Sequence, residues 1–393
     1  MRTQVPTGTP PAGRKPPDLS PDELIRYGRQ LALPEIGKAG QLRLKSSSVL
    51  IVGVGGLGSS AATYLAAAGV GRIGLVDGDV VEKSNLHRQF LYSDSQVGQM
   101  KVEVAKARLS QVNPNTDFVS FPLRLDSSNA VATMGGFDVV VDATDNLPSR
   151  YLISDACVIL GKPDVYASAL RFDGQASVFC APGGPCYRCL YPRPPPPETV
   201  ESCEEAGVLG VVPGVMGAMQ AVQAITILLG KGSPLVGRLL VFSGQSSSFE
   251  ELRIRKDPGC PMCGPKPSIT GLIDYDQFCG VKAKPSDKEF DVGPLELEES
   301  IKRGDAPLLL DVREPYEYEI CHLVGAKLIP VGQLPRRMDE LDSGRSIVVY
   351  CHHGIRSAWA VRLLRDAGYR EARNLSGGIE AWRQQVDPEM RAY

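Results

Sequence analysis

Residues 48–60 read SVLIVGVGGLGSS, and this stretch decides the fold of the first part of the chain. The run Ser48–Val54 is apolar and β-branched, which predicts a buried strand, whereas Ser59–Ala68 is rich in small residues that favour a helix. Between them, residues 53–58 match the pattern G-x-G-x-x-G, whose glycines let backbone N–H groups approach a phosphate. The stretch predicts a nucleotide-binding loop, although a tight turn without a ligand is the structural alternative. The binding residues would be Gly53, Gly55, Gly56 and Gly58.

Two further apolar runs extend this pattern. Arg72–Val76 and Asp138–Val141 are predicted strands, and strand, helix and strand in succession imply parallel pairing. The predicted fold class is α/β, a doubly wound Rossmann-like parallel sheet with helices on both faces. Asp77 follows the second strand, where a carboxylate can accept hydrogen bonds from a ribose. On these features alone, an NAD-dependent oxidoreductase is the first hypothesis.

Polar segments follow the predicted strand ends, where open α/β sheets bind their ligands. They are Asp79, 84–89 (SNLHRQ), 97–101 (VGQMK) and 142–146 (DATDN). Among them are two cations, Arg88 and Lys101, and a carboxylate, Asp145, that suits Mg²⁺. A dinucleotide pyrophosphate does not need so much positive charge, whereas transfer at a nucleoside triphosphate does. These residues therefore favour ATP over NAD.

Five segments, taken in order, resemble one superfamily. They are RYGRQ at 26–30, GVGGLG at 53–58, DGDVVEKSNLHRQ at 77–89, GQMKVE at 98–103 and DATDN at 142–146. They resemble the ubiquitin-activating-enzyme-like superfamily and, within it, the ThiF/MoeB-like adenylyltransferases. Members of that group activate sulfur-carrier proteins for molybdopterin, thiamine and tRNA thiolation. The resemblance covers nearly the whole of the larger predicted domain.

The resemblance implies a role for each matching residue. Arg29 would reach into the ATP site of a partner subunit, which implies a homodimer, while Asp77 would hold the ribose and Asp145 would bind Mg²⁺. The other nucleotide-site residues would be Asn85, Arg88, Gln89, Lys101 and Asn146. From the residues alone, a helix that begins at 20–23 (SPDE) carries Arg26 and Arg29 on one face, and Arg29 would be a solvated side chain.

The chain has ten cysteines. In a cytosolic protein, cysteines more often bind metals or take part in catalysis than form structural disulfides. Two matched Cys-x-x-Cys pairs supply four thiolates, enough for a closed tetrahedral Zn²⁺ site. The candidate ligands are Cys186, Cys189, Cys260 and Cys263. A redox pair is the alternative, but neither pair follows a strand in a thioredoxin-like unit, and the resemblance also places zinc at these residues. The cysteines at 157, 180, 279 and 321 are expected to be mostly buried as small hydrophobes.

Cys203 lies after the proline-rich segment 191–199 and is flanked by three glutamates. Neighbouring carboxylates disfavour a thiolate, so the residues alone indicate an ordinary loop cysteine. The resemblance implies instead that a cysteine at this position forms a thioester or a disulfide with the carrier. Both interpretations stay open, and Cys203 is kept as a candidate catalytic residue.

The last part of the chain carries a second set of motifs. Apolar runs at 308–312 and 346–350 predict strands, and the second delivers Cys351 into the loop 352–356 (HHGIR) before a helix near Ser357. A cysteine that faces backbone N–H groups and a helix N-terminus is expected to be reactive. With DVREPYEY at 311–318, CHLVGA at 321–326 and LSGGIEAW at 375–382, this part closely resembles a rhodanese domain. The resemblance implies an α/β fold and a persulfide on Cys351.

Two details of this loop bear on its substrate. Phosphatases with a related cradle use C-x5-R, whereas Cys351 and Arg356 give the tighter C-x4-R, which suits a sulfane sulfur. His352 replaces the basic residue that is usual in such loops, so the sulfur donor stays open. Cys321 stands where the rhodanese pattern usually has glycine, and the sequence assigns it no role.

The composition of the chain argues against several other classes of protein. The chain has 393 residues and a net charge of −2, which argues against a nucleic-acid-binding surface over the whole protein. Residues 206–230 carry no charge and are long enough to cross a bilayer, but their glycines, Pro213 and glutamines favour a buried helix. No secretory signal is visible in residues 1–19, so a cytoplasmic location is expected. The predicted organisation is a disordered tail at 1–19, an adenylyltransferase domain at 20–278, a linker at 279–288 and a rhodanese domain at 289–393.

Together these observations predict a fused adenylyltransferase and sulfurtransferase. With ATP and Mg²⁺, it would adenylate the C-terminal glycine of a small ubiquitin-fold sulfur carrier that ends in Gly-Gly. The Cys351 persulfide would then form a thiocarboxylate, with sulfur supplied by a donor such as a cysteine desulfurase or thiosulfate. The alternatives are an NAD-dependent oxidoreductase, an activating enzyme that acts through a Cys203 thioester, and a non-catalytic scaffold. No membrane and no direct nucleic-acid partner are expected.

Overall fold

The computed structural model describes residues 18–195, 206–280 and 289–391. It divides into two compact units, one on each side of residues 281–288. Most of the predicted tail and linker, and Cys203, lie outside the described residues.

The first unit is built on one sheet, whose described strands follow the order β3-β2-β1-β4-β5-β6-β7-β8. The strands are β1 Ser48–Val52, β2 Arg72–Val76, β3 Asp117–Phe121, β4 Val139–Asp142, β5 Asp164–Leu170, β6 Asp173–Phe179, β7 Arg238–Ser243 and β8 Ser248–Arg253. β3, β2, β1, β4 and β5 are parallel neighbours. This half is the predicted Rossmann-like arrangement.

The other half of the sheet departs from the predicted all-parallel arrangement. β5 pairs with β6, β6 with β7 and β7 with β8, each antiparallel. Only Arg171 and Phe172 separate β5 from β6, and so short a connection can join strands only as a hairpin. Arg171 adopts φ +54°, as hairpin turns require. The α/β class is confirmed, with a mixed rather than a purely parallel sheet.

Helices cover both faces of this sheet. The helices are α1 Pro21–Arg26, α2 Gly28–Leu31, α3 Gly37–Lys45, α4 Gly56–Ala68, α5 Lys101–Val112, α6 Ala130–Gly135, α7 Leu147–Leu160, α8 Tyr187–Leu190, α9 Val211–Leu229 and α10 Tyr275–Phe278. Along β1, Val49 and Ile51 pack into a core with α4, α5 and α9, whereas Leu50 and Val52 pack into a second core with α7. A strand buried on both faces needs an unbroken apolar run, which explains the sequence of β1.

α9 is the uncharged segment singled out in the sequence. Among the described residues it is the one helix long and apolar enough to cross a membrane, and half of that stretch is buried inside the protein. It lies against α4: Ser60 Oγ donates to the Gly214 carbonyl oxygen at 2.7 Å, and a Cβ on Gly217 would overlap the Leu57 carbonyl oxygen. This packing agrees with the interpretation of α9 as a core helix.

The predicted first helix is two short helices, and Arg26 and Arg29 lie on different ones. Ser20 and Glu23 form a capping box at the predicted helix start, but α1 ends at Arg26, and α2 begins at Gly28 after the intervening Tyr27. Tyr27 is 3% exposed, and its hydroxyl accepts a hydrogen bond from Asn113 Nδ2 at 2.8 Å. The anchored tyrosine and the low helix propensity of glycine explain the break.

The second unit has a parallel sheet with the described strand order β11-β10-β12-β13-β9. Its strands are β9 Asp291–Val292, β10 Leu308–Asp311, β11 Lys327–Leu328, β12 Ile347–Tyr350 and β13 Ala372–Leu375. Its helices are α11 Pro294–Lys302, α12 Pro315–Ile320, α13 Leu334–Arg337, α14 Ile355–Asp366 and α15 Gly378–Gln385. α14 begins two residues before the predicted Ser357, because Gly354 adopts φ +89° as its N-cap and lets the chain turn early.

Candidate functional site

The glycine loop lies directly against the loop that follows β4. Gly53 has φ +88°, and a Cβ there would lie 2.7 Å from the Ala143 carbonyl oxygen. A Cβ on Gly58 would overlap the carbonyl oxygen of Gly53. Side chains are therefore excluded from both positions, and the backbone of the loop stays open at the N-terminus of α4. Such a helix start is suited to bind a phosphate.

Asp77 and Lys101 lie beside this loop at the carboxyl end of β2. Asp77 Oδ2 accepts a hydrogen bond from the Val54 N–H at 2.8 Å, and Asp77 Oδ1 accepts one from the Asp79 N–H at 2.9 Å. Burial raises the pKa of Asp77, and the charge of Lys101 opposes that rise. Lys101 begins α5, and its Nζ is 3.1 Å from Asp79 Oδ2 although the lysine side chain is only 7% exposed. A cation is thus held out of solvent next to the loop.

The predicted phosphate-contacting segment 84–89 packs on the other side of the glycine loop. A Cβ on Gly55 would lie 3.5 Å from Gln89 Nε2, and one on Gly56 would lie 3.4 Å from the Arg88 carbonyl oxygen. Gln89 Nε2 donates to Asn85 Oδ1 at 2.6 Å, and both side chains are buried. Arg88 is half-buried and donates to the Ser84 carbonyl oxygen at 3.1 Å.

The loop after β4 carries Asp145 and Asn146, which are both exposed. Asn146 is the N-cap of α7, with Oδ1 accepting from the Ser149 N–H at 3.0 Å. Two residues, Asp142 and Arg150, hold this loop through contacts with Thr144 that the sequence did not predict. Asp142 Oδ1 accepts from the Thr144 N–H at 3.0 Å, and Arg150 Nη2 donates to the Thr144 carbonyl oxygen at 3.2 Å. Burial raises the pKa of Asp142, and Arg150 opposes that rise.

The structure therefore brings most of the predicted nucleotide-site residues to one edge of the sheet. Gly53–Gly58, Asp77, Lys101 and the segments 85–89 and 145–146 meet where β1, β2 and β4 end. Arg29 is not among them: it is exposed on α2, away from the strand ends. The set offers backbone donors, a buried ammonium group and carboxylates, which suits a polyphosphate with a divalent cation.

The four cysteines of the two Cys-x-x-Cys pairs form one cluster, with all sulfur atoms within 4.8 Å of one another. Cys186 Sγ lies 3.9 Å from Cys189 Sγ and 3.5 Å from Cys260 Sγ, and Cys189 Sγ lies 3.4 Å from Cys263 Sγ. Four sulfur atoms about 2.3 Å from a tetrahedral Zn²⁺ would be roughly 3.8 Å apart. The cluster thus fits zinc, and it ties the start of α8 to the loop after β8.

The other cysteines that the structure describes in the first unit are not part of that set. Cys157 and Cys279 are buried, as expected. Cys180 is half-buried beside the cluster, with its sulfur atom 3.5 Å from Ser154 Oγ. Burial raises the pKa of both the Cys157 and the Cys180 thiols well above the ordinary range, so neither is a standing nucleophile.

In the second unit, Cys351 follows β12 and is 2% exposed. Its sulfur atom accepts hydrogen bonds from the Gly354 N–H at 3.1 Å and from Ser357 Oγ at 3.4 Å. Gly378 lies so close beneath the loop that a Cβ there would overlap the carbonyl oxygens of Cys351 and His352. The thiol is thus held between a backbone amide and the first turn of α14, which suits a sulfur that must carry negative charge.

Two ion pairs near the loop were not predicted from the sequence. Arg356 pairs with Glu317 through both of its terminal nitrogens, each at 2.8 Å from a carboxylate oxygen. Arg313 is fully buried against Asp311, and it also donates to the Cys321 carbonyl oxygen at 2.8 Å. Cys321 is half-buried, and burial raises the pKa of its thiol while Arg313 opposes that rise.

Comparison with known proteins agrees with both halves of this description. Residues 27–262 match the ThiF family, and residues 294–385 match the rhodanese-like domain. The chain is 45% identical to the adenylyltransferase and sulfurtransferase MOCS3 of Aedes aegypti, over 95% of this chain and 90% of that protein. It is 43% identical to the probable adenylyltransferase/sulfurtransferase MoeZ of Mycobacterium tuberculosis, over 98% of this chain and all of that protein.

Solved structures share the fold of the first unit. The crystal structure of E. coli MccB aligns with 62% of this chain and 73% of its own, with a TM-score of 0.54 and 22% identity. The same protein solved with ATP aligns with 61% and 74%, with a TM-score of 0.52. The two family matches together cover most of the chain. The chain belongs to the ThiF family, in the group that joins a ThiF domain to a rhodanese-like domain, and it is an adenylyltransferase and sulfurtransferase.

Proposed function

We propose that the first unit adenylates the C-terminal glycine of a ubiquitin-fold sulfur carrier and that the second unit supplies the sulfur. The observation that carries this proposal is the pairing of two sites in one chain. One is a glycine loop with the buried Lys101 ammonium beside it. The other is a buried thiol, Cys351, that accepts hydrogen bonds from a backbone amide and a hydroxyl.

In the adenylation step, a carboxylate oxygen of the carrier attacks the α-phosphorus of ATP. The bond from that phosphorus to the bridging oxygen breaks, and pyrophosphate leaves with the electron pair. Lys101 and Arg88 would neutralise charge that builds up on the phosphates, and Asp77 would orient the ribose. Asp145 would hold Mg²⁺, since its exposed carboxylate offers the oxygen ligand that this ion prefers and leaves room for waters and phosphates. MccB, crystallised with ATP, supports the use of this fold with that nucleotide.

In the sulfur-transfer step, the terminal sulfur of the Cys351 persulfide attacks the acyl carbon of the adenylate, and AMP leaves. The product is an acyl disulfide that joins the carrier to Cys351. A thiolate then attacks the Cys351 sulfur, so that the S–S bond breaks and the carrier leaves as a thiocarboxylate. We propose Cys203 or an external thiol for this role, and Cys203 lies outside the described residues.

The four-cysteine cluster would hold Zn²⁺ as a structural ion. Its four thiolates fill a tetrahedral coordination shell, which leaves no position for a substrate or a water. Bound there, the ion would supply folding free energy. The Asp257 N–H, 3.4 Å from Cys189 Sγ, and the Cys263 N–H, 3.5 Å from Cys260 Sγ, would stabilise the thiolates.

We further propose a homodimer in which Arg29 completes the ATP site of the partner subunit. The exposure of Arg29 on α2, away from its own strand ends, supports a role in trans. Mixing Arg29→Ala subunits with Lys101→Ala subunits tests this idea. Partial recovery of ATP–pyrophosphate exchange is expected, since some mixed sites would have both residues intact, and no recovery in confirmed mixed dimers would count against it.

The physiological setting proposed here is the cytoplasm, with a cysteine desulfurase or thiosulfate as the sulfur donor. Incubating candidate Gly-Gly carriers with the enzyme, ATP, Mg²⁺ and each donor identifies the partner. The intact mass of the true carrier should change by the replacement of one oxygen with sulfur. If no ubiquitin-fold carrier is modified while ATP–pyrophosphate exchange occurs with another carboxylate substrate, the proposed function is wrong.

A further inference from the structure

Arg356, the arginine that follows the Cys351 loop, is held by a carboxylate. Its Nη1 donates to Glu317 Oε2 and its Nη2 donates to Glu317 Oε1, both at 2.8 Å. The side chains are 14% and 4% exposed. Both terminal nitrogens of the guanidinium are therefore used in a bidentate pair that is largely shielded from water.

Glu317 is fixed in this position from a second side. Its Oε2 accepts a hydrogen bond from the Glu314 N–H at 2.8 Å, at the start of α12. Burial acts to raise the pKa of Glu317, but Arg356 holds it below its ordinary value, so the carboxylate is ionised at neutral pH. Moving Arg356 towards a ligand would leave this carboxylate buried without its partner, which is strongly unfavourable.

The loop itself adds no charge at the position after the cysteine. His352 stands there, half-buried and stacked on His353 with the ring centroids 4.0 Å apart. Burial and the neighbouring His353 lower the pKa of His352 to about 4, which keeps the imidazole neutral at pH 7. The charge of Arg356 is thus balanced by Glu317, and His352 carries none at pH 7.

We propose that Glu317 determines the donor specificity of the Cys351 loop by engaging Arg356. The pair disfavours donors that release an oxyanion and favours donors that carry the sulfane sulfur on a thiol. Glu317 is a positioning residue in this account, because it acts through Arg356. The inference rests on the proposed role of Cys351 as the sulfur acceptor.

Thiosulfate and glutathione persulfide represent the two classes of donor. With thiosulfate, the Cys351 thiolate bonds to the outer sulfur, the S–S bond breaks, and sulfite leaves as a dianion that needs a nearby cation. With glutathione persulfide, the thiolate takes the terminal sulfur and glutathione leaves with a proton on its sulfur. Both reactions give the same Cys351 persulfide, so only the leaving group differs.

The test compares full-length wild type with Glu317→Gln, which removes the charge but keeps an acceptor for the Glu314 N–H. Arg356, once released, should raise kcat/KM for thiosulfate about tenfold, mainly through a lower KM. The rate with glutathione persulfide should stay within about twofold. Adding Arg356→Gln should return the thiosulfate value to that of wild type. Glu340→Gln, which removes a carboxylate paired with Arg337 elsewhere in the unit, is the matched control and should change neither donor.

Several outcomes would overturn the inference. An unchanged thiosulfate value in folded Glu317→Gln, or a gain that persists without Arg356, would remove Arg356 from the explanation. A parallel loss with both donors would indicate a purely structural role for Glu317. If the single variant does not fold, the double variant decides: thiosulfate activity equal to wild type supports the inference, and a loss shows that Arg356 already contacts the donor. Cys351→Ser in each background should abolish transfer, and transfer that survives it would contradict the proposed function instead.

Discussion

Lys101 combines features that seldom occur together in a lysine. Its side chain is 7% exposed, yet the carboxylate with which it forms an ion pair, Asp79, is 74% exposed. The buried carboxyl of Asp77 also interacts with its charge. A buried cation with an exposed counter-ion beside a phosphate-binding loop is suited to accept a second anion. These features support the proposed contact of Lys101 with the phosphates rather than a role in the stability of α5.

Lys101→Ala should lower the rate of carrier-dependent ATP–pyrophosphate exchange by about 10² to 10³, because a preorganised charge near the phosphates would be lost. Lys83→Ala is the matched control. Its side chain is 85% exposed and pairs with Asp94, so its removal should leave the rate within about twofold. Equal effects of the two substitutions would contradict the assignment.

His352 gives a prediction about stability and pH. Its pKa is lowered to about 4 by burial and by His353, so between that pH and about 6.5 the unfolded chain binds more protons at this site than the folded protein. The contribution of His352 to the free energy of unfolding therefore rises with pH between about 4 and 6.5. His352→Gln should make the rise in Tm between about pH 4.5 and 6.5 smaller, and leave Tm above pH 7 nearly unchanged.

Calorimetry at several pH values measures this effect, with the exposed His322→Gln as the control. An identical pH dependence of Tm in wild type and His352→Gln would show that the imidazole titrates normally. The inference about donor specificity would then lose one of its two supports.

The sequence predicts functional residues that belong to motifs, but it does not predict which distant residues they contact. Asp77 and Cys351 could be predicted because each directly follows a strand, and Lys101 could be predicted because it lies in a recognisable motif. Glu317 as the partner of Arg356, 39 residues away in sequence, could not. Glu317 lies in α12 and Arg356 lies in α14, and no local sequence pattern indicates which two helices will come into contact.

At the scale of elements, the contact between α4 and α9 positions the nucleotide loop. Gly217 of α9 lies against the Leu57 carbonyl oxygen, and Leu57 belongs to the glycine motif itself. Gly217→Ala should push the two helices apart and destabilise the protein by about 1–3 kcal/mol, with weaker ATP binding. Gly214→Ala, on the same helix, has nothing within 4 Å of its added Cβ, so stability should stay the same or rise by up to about 1 kcal/mol.

Denaturant unfolding and ATP titration of the two glycine variants measure these effects. A Gly217→Ala protein with wild-type stability and ATP affinity would mean that α9 does not constrain the loop. The comparison is sharp because both substitutions add the same methyl group to one helix.

The cysteine cluster joins α8 to the loop after β8 and yields a prediction about metal. Cys260→Ser should remove zinc and much of the stability of the first unit, because a structural zinc site contributes about 10–16 kcal/mol of binding free energy that is available only to the folded chain. Cys279→Ser, at a buried cysteine outside the cluster, should keep the zinc. Metal analysis and thermal denaturation test this, and full stability with less than one zinc per chain in chelator-free protein would refute the structural role.

The elements that sequence could predict are those with a strong local pattern. β1, β2 and β12 have continuous apolar runs and appear where expected, within two residues at each end. The antiparallel strand β8 was not foreseen, because all six of its residues are exposed and it has no apolar run. The break between α1 and α2 was missed because it depends on the contact of Tyr27 with Asn113, far along the chain.

At the scale of the whole molecule, the chain joins a ThiF domain to a rhodanese-like domain, and we propose that the two act in succession on one carrier protein. The ThiF match and the cations at the loop remove the NAD-dependent oxidoreductase as an explanation. The second unit distinguishes this chain from an activating enzyme that would work through a thioester alone. The two chemistries should therefore be separable by mutation.

The most direct test follows both reactions in one preparation, with wild type and Cys351→Ala, a cognate carrier, ATP, Mg²⁺ and a sulfur donor. ATP–pyrophosphate exchange reports adenylation, and the intact mass of the carrier reports the thiocarboxylate. Cys351→Ala should keep exchange within about twofold of wild type and form no thiocarboxylate, because adenylation takes place at Gly53–Gly58 in the other unit. Thiocarboxylate formed at the wild-type rate by Cys351→Ala, or a carrier that is never thiolated by wild type while exchange proceeds, would contradict the account.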